Sequence, residues 1–250
     1  MIALTGFGIA LLVGMTGVGG GILTVPLLMI LFGVDPAHAV GAALLFSTSI
    51  KLLLVPLAAA RGQVNWRVLG WMLLGGVPGA LLGSVALKGL MASGAKSVVQ
   101  FLLGVIIASA ATIHLAAAKR KKADGGAPRK DRPRTLGALM FPVGLEVGFS
   151  SAGAGALGSV ALLSLTSLTA AEVVGTDLAF GLGLSAIAGG MHFHFGDVDT
   201  ALLTQLLTGG LAGAAVGAFL ASQVSQRFLK LVLSSSLLLI GLHLCWGAIR

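Results

Sequence analysis

The chain has 250 residues, of which 56% are hydrophobic and only 10% are charged. Its mean hydropathy of +1.02 lies far outside the range of soluble globular domains. The composition therefore excludes a soluble domain and predicts an all-α polytopic membrane protein that is surrounded by the lipid bilayer.

A helix needs about 20 apolar residues to cross the hydrocarbon core, which is ~30 Å thick. In chain order, the first apolar stretch is Ile2–Phe32, which is longer than one span and is interrupted by glycines. Three uninterrupted stretches follow it, and after a polar linker the pattern begins again with a second glycine-interrupted stretch, Thr135–Leu168. The uninterrupted predicted spans are Ala37–Ala60, Trp66–Leu90, Ser97–Ala118, Ala170–His194, Thr200–Ser222 and Phe228–Ile249.

The linker between the two hydrophobic blocks, KRKKADGGAPRKDRPR (Lys119–Arg134), carries eight cations and two aspartates, a net +6 of the chain's +8. A basic run can bind nucleic acid, but between two membrane blocks it is typical of a cytoplasmic loop. We therefore expect a first membrane repeat over 1–118, a cytoplasmic linker over 119–134 and a second membrane repeat over 135–250. No nucleic-acid partner is expected.

Metal, redox and catalytic motifs are not recognisable in the sequence. Cys245 is the only cysteine, which excludes an intrachain disulfide and a paired-cysteine metal site. His192, His194, Asp197 and Asp199 cluster in MHFHFGDVD, but a membrane boundary explains these four residues better than a metal site does. We therefore expect no metal, no cofactor and no enzyme activity. We also expect no cleavable signal peptide, because no cationic segment precedes the first apolar run.

The two blocks are copies of each other. Sliding the sequence by 134 positions aligns them without a gap from Phe7 and Phe141 to Lys96 and Lys230. Internal duplication of this kind is common in secondary transporters, whose sites lie near the bilayer midplane between the repeats. The sequence therefore predicts two homologous halves of about four membrane segments each, with the first segment of each half broken by glycines.

Glycines at four-residue spacing form a stripe on the third helix of each repeat. Such small-residue stripes let two membrane helices pack closely, so we expect a helix contact along each of them. The stripes are Gly75, Gly79 and Gly83 in the first half and Gly209, Gly213 and Gly217 in the second.

The glycines of GMTGVGGGILTVP (Gly14–Pro26) have a different spacing. Gly19, Gly20 and Gly21 are consecutive, so they cannot form a single helical face, and glycine weakens a helix by roughly 1 kcal/mol relative to alanine. We expect one helical arm over Ile2–Val13 and a second over Ile22–Phe32, with the second beginning inside the membrane. Its free N–H groups and positive dipole end would suit an anion. The predicted anion-binding residues here are Thr16, Gly17, Gly19, Gly20 and Gly21, and in the twin stretch GFSSAGAGALGSV they are Ser150, Ser151, Gly153 and Gly155.

Two topologies fit a glycine-broken segment. It can be one interrupted crossing, which gives each repeat four crossings and makes the halves parallel, or a re-entrant hairpin, which gives three crossings and makes the halves inverted. Without the intramembrane Lys51, the parallel case puts 11 Lys and Arg residues on the inner side and 4 on the outer side, and the inverted case 12 and 3. Both agree with the positive-inside rule.

Three charged residues lie within predicted membrane segments and away from the segment ends. An intramembrane cation costs about 2.5–3.5 kcal/mol on insertion scales, so Lys51 is expected to face a polar interior rather than reach the interface by snorkelling. Asp177 is equally deep, and its repeat equivalent is Ala43, so the duplication has diverged there. Asp177 can carry a proton for coupling or pair with Lys51. Glu146, which aligns with Leu12, is a second proton-carrying candidate.

Several of these segments resemble the TauE/SafE family of sulfite exporters. The similar segments are VGMTGVGGGILTVPLL, AARGQVNWRVLGWMLLGGVPGALLGS, GFSSAGAGALG, VVGTDLAF and AGGMH. The resemblance covers nearly the whole chain and implies a multi-pass transporter of small sulfur-containing anions in the bacterial inner membrane. Carried over by position, it supports Gly17, Gly19, Gly20, Gly21, Lys51, Gly153, Gly155, Thr176 and Asp177. Many relatives have a GTD-like run where this chain has Gly41, Ala42 and Ala43, so the first half departs from the family pattern at the position equivalent to Asp177.

The resulting hypothesis is a secondary transporter that exports sulfite or an organosulfonate. Lys51 would supply positive charge, the glycine-break amides and hydroxyls would replace water around the anion, and Asp177 would set coupling. The alternatives are a non-transporting membrane scaffold or assembly subunit and a cation or proton carrier built on Asp177 and Glu146. A scaffold has no need for Lys51.

Overall fold

The computed structural model describes residues 1–16, 21–119, 132–152, 154–220 and 226–249, and these form ten helices and no strand. The predicted all-α class is therefore confirmed for the described residues. The helices are α1 (Ile2–Thr16), α2 (Gly21–Phe32), α3 (Pro36–Ala60), α4 (Trp66–Ala92), α5 (Lys96–Lys119), α6 (Pro133–Ser150), α7 (Ala154–Leu165), α8 (Ala170–Phe195), α9 (Thr200–Leu220) and α10 (Gln226–Ile249).

Several helix ends follow directly from capping residues in the sequence. Asp35 accepts a hydrogen bond from the Ala37 amide at the start of α3, and Asn65 caps α4 through the Val68 amide. Thr169 begins α8 in a reciprocal capping box with Glu172. Side-chain caps of this kind satisfy amides that have no partner within the helix.

Among the described residues, five helices are long and apolar enough to cross a membrane: Pro36–Ala60, Trp66–Ala92, Lys96–Ile113, Ala170–Phe195 and Thr200–Leu220. Shorter apolar helices cover Ile2–Met15, Gly21–Phe32 and Ser234–Ala248. Large apolar side chains such as Leu52, Leu74 and Phe219 are more than half exposed, as expected where lipid rather than water surrounds the protein. The chain is a multi-pass membrane protein.

The arms α1 and α2 run in opposite directions. The first residue of α1, Ile2, and the last residue of α2, Phe32, line the same cleft, together with Asp35 before α3 and Asp199 before α9. We call this side of the protein the far face. At 15 and 12 residues, the arms are about 22 and 18 Å long, too short for either to cross the hydrocarbon core alone.

The arms α6 and α7 repeat this arrangement from the other side. The Arg132 amide, just before α6, donates a hydrogen bond to the carbonyl of Leu165, the last residue of α7. We call this side the linker face, because α6 starts there after the linker. Helix α8 starts a few residues after Leu165 on the linker face and ends beside Asp199 on the far face.

Contacts between helices set their relative directions. Gly6 and Gly14 of α1 lie against Leu206 and Ala214 of α9, so those two helices run parallel. In the same way α4 runs parallel to α6. Thr48 of α3 bonds Ser185 of α8 while Gly41 lies against Asp197, so α3 and α8 run antiparallel, as do α5 and α10.

Both predicted glycine stripes are helix contacts, which confirms that prediction. A methyl group on any of the six glycines would overlap a backbone atom of the neighbouring helix. The stripe on α4 packs on Gly137, Phe141 and Leu145 of α6, and the stripe on α9 packs on Ala3, Phe7 and Leu11 of α1. These contacts hold α6 against α4 and α1 against α9.

Candidate functional site

The α1–α2 pair and the α6–α7 pair meet inside the protein. Gly21, the first residue of α2, lies against Ser151, which follows the last residue of α6. A methyl group at Gly21 would overlap both the carbonyl oxygen and the hydroxyl of Ser151, so only glycine allows this approach. Ser151 is 7% exposed and Ser150 is fully buried. The start of one helix and the end of another therefore share an enclosed position.

Ser151 has an unusual backbone and an unused hydroxyl. With φ 62° and ψ 4° it ends α6 as a left-handed cap, a position that usually holds glycine and is uncommon for a residue with a side chain. Its amide donates to the Val147 carbonyl at 2.8 Å. Its hydroxyl is buried and has no hydrogen-bond partner among the described residues, whereas the Ser150 hydroxyl donates to the Glu146 carbonyl and accepts from the Ala152 amide. Burying an unpaired hydroxyl is costly, so Ser151 is suited to bind a ligand.

Lys51 points into the protein from the middle of α3. It is 4% exposed, while its neighbours Leu52 and Leu53 are 57% and 48% exposed, so the lysine faces away from the lipid side of the helix. Its ammonium makes no hydrogen bond or ion pair with the residues that the structure describes. A buried cation without a close partner attracts an anion.

Asp177 lies on α8, held by α7. Its Oδ2 accepts a hydrogen bond from the Ser159 hydroxyl at 2.7 Å, and Gly158 leaves the space that its Oδ1 occupies. Oδ1 has no hydrogen-bond partner within the described part of the chain. Asp177 and Lys51 interact electrostatically, but they form no ion pair within 4.0 Å. The structure thus brings the predicted cation and carboxylate into one interior region without closing a direct contact.

Polar contacts between α3, α4 and α8 surround this region. The Thr48 hydroxyl, one turn before Lys51, bonds the Ser185 hydroxyl at 3.0 Å, and Ser185 is the repeat equivalent of Lys51. The Thr176 hydroxyl accepts from the Asn65 amide at 2.9 Å, which ties the start of α4 to the residue before Asp177. These hydroxyls fix α8 relative to its neighbours.

The other predicted residues divide into two groups. Glu146 is half-buried on α6, and none of the described hydrogen bonds or ion pairs involves its carboxylate. Gly17, Gly19, Gly20 and Gly153 lie outside the described residues, as do the surroundings of Thr16 and Gly155. None of the described hydrogen bonds joins Lys51 to Gly21 or Ser151.

His192 is the residue whose environment differs most from expectation. The sequence favours a membrane-boundary position, and His194 and Asp199 are exposed accordingly, but the His192 ring is fully buried. Its Nδ1 lies 3.2 Å from Asp197 Oδ2 and its Nε2 lies 3.2 Å from the Gly148 carbonyl oxygen. The sequence also gave no reason to choose Gly158 or Ser159, although both lie in the twin glycine stretch. No group of three or more His, Cys, Asp or Glu side chains suited to a metal occurs among the described residues.

Comparison with known proteins identifies the family that the chain matches. A family model described as "Sulfite exporter TauE/SafE" matches residues 2–244. The chain is similar to the probable membrane transporter protein YjnA of Bacillus subtilis, with 32% identity over 97% of this chain and 98% of the relative. It is also similar to a probable membrane transporter protein of Xylella fastidiosa strain 9a5c, with 26% identity over 93% of this chain and 89% of the relative. No solved structure matches the chain significantly.

Proposed function

Because the chain belongs to the sulfite exporter TauE/SafE family, we propose that it is a secondary transporter that exports a small sulfur-containing oxyanion, either sulfite or an organosulfonate. Family membership and the names of the relatives support a membrane transporter. The choice of an oxyanion is supported by the chemistry of the interior site, which offers donors and positive charge.

The observation that carries the proposal is the meeting of Gly21 with Ser151. A helix begins at Gly21, so its first amides have no partner within the helix and its dipole favours negative charge. The Ser151 hydroxyl, which has no hydrogen-bond partner among the described residues, lies against this helix start. Amides and a hydroxyl together replace water around an oxyanion, and Lys51 contributes the formal positive charge from α3. Binding must remain modest so that the anion can leave.

An inverted repeat is supported by matching contacts in the two halves. Phe180 fills the space beside Gly76, and Phe46 fills the space beside Gly210. Gly210 is the repeat equivalent of Gly76, and Phe180 is the repeat equivalent of Phe46, because each pair is separated by the 134 positions of the alignment. Because the equivalent helices α3 and α8 run in opposite directions, the inverted arrangement with re-entrant glycine hairpins is favoured over the parallel one. Inverted repeats around a midplane site are a common basis for alternating access.

The proposed orientation places the linker face on the cytoplasmic side of the membrane. With re-entrant hairpins, 12 Lys and Arg residues belong to the linker face and 3 to the far face, which the positive-inside rule assigns to the cytoplasm and the exterior respectively. Export would then carry the anion from the linker face, past the hairpin tips, to the cleft on the far face.

A cation or proton carrier is the second candidate, because Asp177 Oδ1 is buried without a hydrogen-bond partner among the described residues. In the transporter proposed here, Asp177 instead couples proton movement to anion export. A scaffold role is disfavoured, since a protein that only packs against partners gains nothing from a buried Lys51.

Flux measurements on purified protein in liposomes test the proposal. We expect sulfite or an organosulfonate such as taurine or sulfoacetate to move across the membrane. Ser151→Ala should reduce that flux about tenfold, since a hydrogen bond to a charged ligand is worth about 1.5–3 kcal/mol. Ser164→Ala, which alters an exposed hydroxyl bonded only to its own helix, should match the parent. Flux of alkali cations with no flux of any sulfur oxyanion would contradict the proposal.

A further inference from the structure

His192 joins the far end of α8 to the last turn of α6. The Gly148 carbonyl that its Nε2 contacts also accepts a hydrogen bond from the Ser84 hydroxyl of α4 at 3.3 Å. The amide four residues later, that of Ala152, bonds the Ser150 hydroxyl instead. The Gly148 carbonyl lies three residues before Ser151 in the last turn of α6. It is therefore contacted by side chains of both α4 and α8.

The partners of His192 determine how many ring protons it needs. Its Nδ1 faces a carboxylate oxygen of Asp197 and its Nε2 faces a carbonyl oxygen. A carbonyl oxygen and an ionised carboxylate only accept hydrogen bonds, and a neutral imidazole carries a single N–H. A neutral histidine beside an ionised aspartate can make only one of these two hydrogen bonds. Both form together only when the His192–Asp197 pair carries one additional proton.

The pair has a route to solvent on the far face. The Asp197 side chain is 19% exposed, whereas His192 is fully enclosed. The carbonyl of Asp197 lies against Gly41 of α3 at 2.6 Å from the position of a Cβ atom, so the loop after α8 is fixed to the first half of the chain. A proton can therefore reach His192 through a carboxylate that is held in place.

The charged groups around the pair are few. On α4, Lys88 lies over the Phe195 ring at 4.1 Å, and that ring packs edge-on to His192. On α6, Glu146 is two residues from Gly148. His194 on α8, His38 on α3, Asp199 before α9 and the Asp35–Lys96 ion pair also lie at this end, and none of them shares a described hydrogen bond or ion pair with His192.

We propose that His192 and Asp197 form a proton-binding site that holds the end of α6, and with it Ser151, in the position seen here. Loss of the proton leaves the imidazole able to donate to Asp197 or to Gly148 but not to both. The contact that holds the end of α6 to α8 is therefore weakened. The site is separate from Asp177, which lies nearer the linker face. The proposal concerns proton binding and helix position, so it does not depend on which anion is carried.

Hydrogen exchange of the protein in nanodiscs at pH 5.5 and pH 8.5 tests the site without any substrate. After correction for intrinsic exchange rates, the amides of Ser151 and Ala152 should be about tenfold more protected at pH 5.5, because a charged hydrogen bond is lost at the higher pH. His192→Gln, whose amide can donate to Gly148 but does not titrate, should remove this pH dependence. His194→Gln, which alters an exposed histidine on the same helix, should retain it. Equal protection of the parent at both pH values, or an unchanged pH dependence in His192→Gln, would overturn the proposal.

A second measurement covers the case in which His192→Gln does not fold. Nitrogen NMR of the parent protein labelled on histidine should show one buried imidazole with both ring nitrogens protonated at pH 5.5. It should show a single ring proton at pH 8.5. A His192 signal that remains a neutral tautomer over this whole range would overturn the proposal on its own.

Discussion

Replacing Lys51 with Met is expected to abolish export of the anion while leaving a folded protein. Methionine keeps the length of the side chain and removes the charge, and it is apolar, so burial at a site that is 4% exposed carries no desolvation penalty. Loss of the interaction between the ammonium and the bound anion should raise its Kd at least tenfold. Binding of sulfite to the purified protein and flux in liposomes measure the two effects.

Lys96→Met is the matched control for Lys51→Met. Lys96 is two-thirds exposed and pairs with Asp35 on the far face at 2.7 Å, an exposed type of ion pair that contributes little. Its replacement should leave sulfite affinity and flux within about twofold of the parent. Full transport by Lys51→Met, with a Kd equal to that of the parent, would remove Lys51 from the site.

The second large effect is expected in Asp177→Asn. An amide keeps the shape of the side chain and can still accept from Ser159 through its oxygen, but it cannot carry a proton. Transport driven by a pH gradient should fall to background, while exchange of anion for anion across the membrane should continue. Both modes are measured in the same liposomes, with and without the gradient.

Two further variants separate coupling from simple charge pairing. Glu172→Gln alters a partly exposed carboxylate at the start of the same helix and should retain gradient-driven transport. If Asp177 serves only to balance Lys51, Asp177→Asn should lower thermal stability by leaving a buried cation, and the double variant with Lys51→Met should restore it. Gradient-driven transport that survives in Asp177→Asn would exclude a coupling role.

The sequence predicted the membrane segments well because their signal is local. Apolar runs of spanning length predicted Ala170–His194 and Trp66–Leu90, and the helices are Ala170–Phe195 and Trp66–Ala92. The helix contacts along the glycine stripes were equally predictable, since a four-residue spacing places small residues on one face of any helix. Burial of Lys51 and Asp177 agrees with the cost of a charge in lipid.

The arrangement of these segments could not be read from the sequence. Both re-entrant and interrupted segments have the same composition, and the choice depends on contacts such as that between Arg132 and Leu165. His192 and Gly148 are 44 residues apart, and Ser159 and Asp177 are 18 apart. No local pattern indicates that such residues will meet, because helix packing rather than spacing brings them together.

The most direct test of the central claim is the position of a bound oxyanion. Selenite has the shape and charge of sulfite, and its selenium scatters X-rays anomalously, so a crystal of the protein grown with selenite reports the site without ambiguity. We expect one selenium peak within hydrogen-bonding reach of the Ser151 hydroxyl and the first amides of α2 at Gly21. A selenium peak elsewhere in the membrane region, with the space between Gly21 and Ser151 unoccupied, would contradict the account.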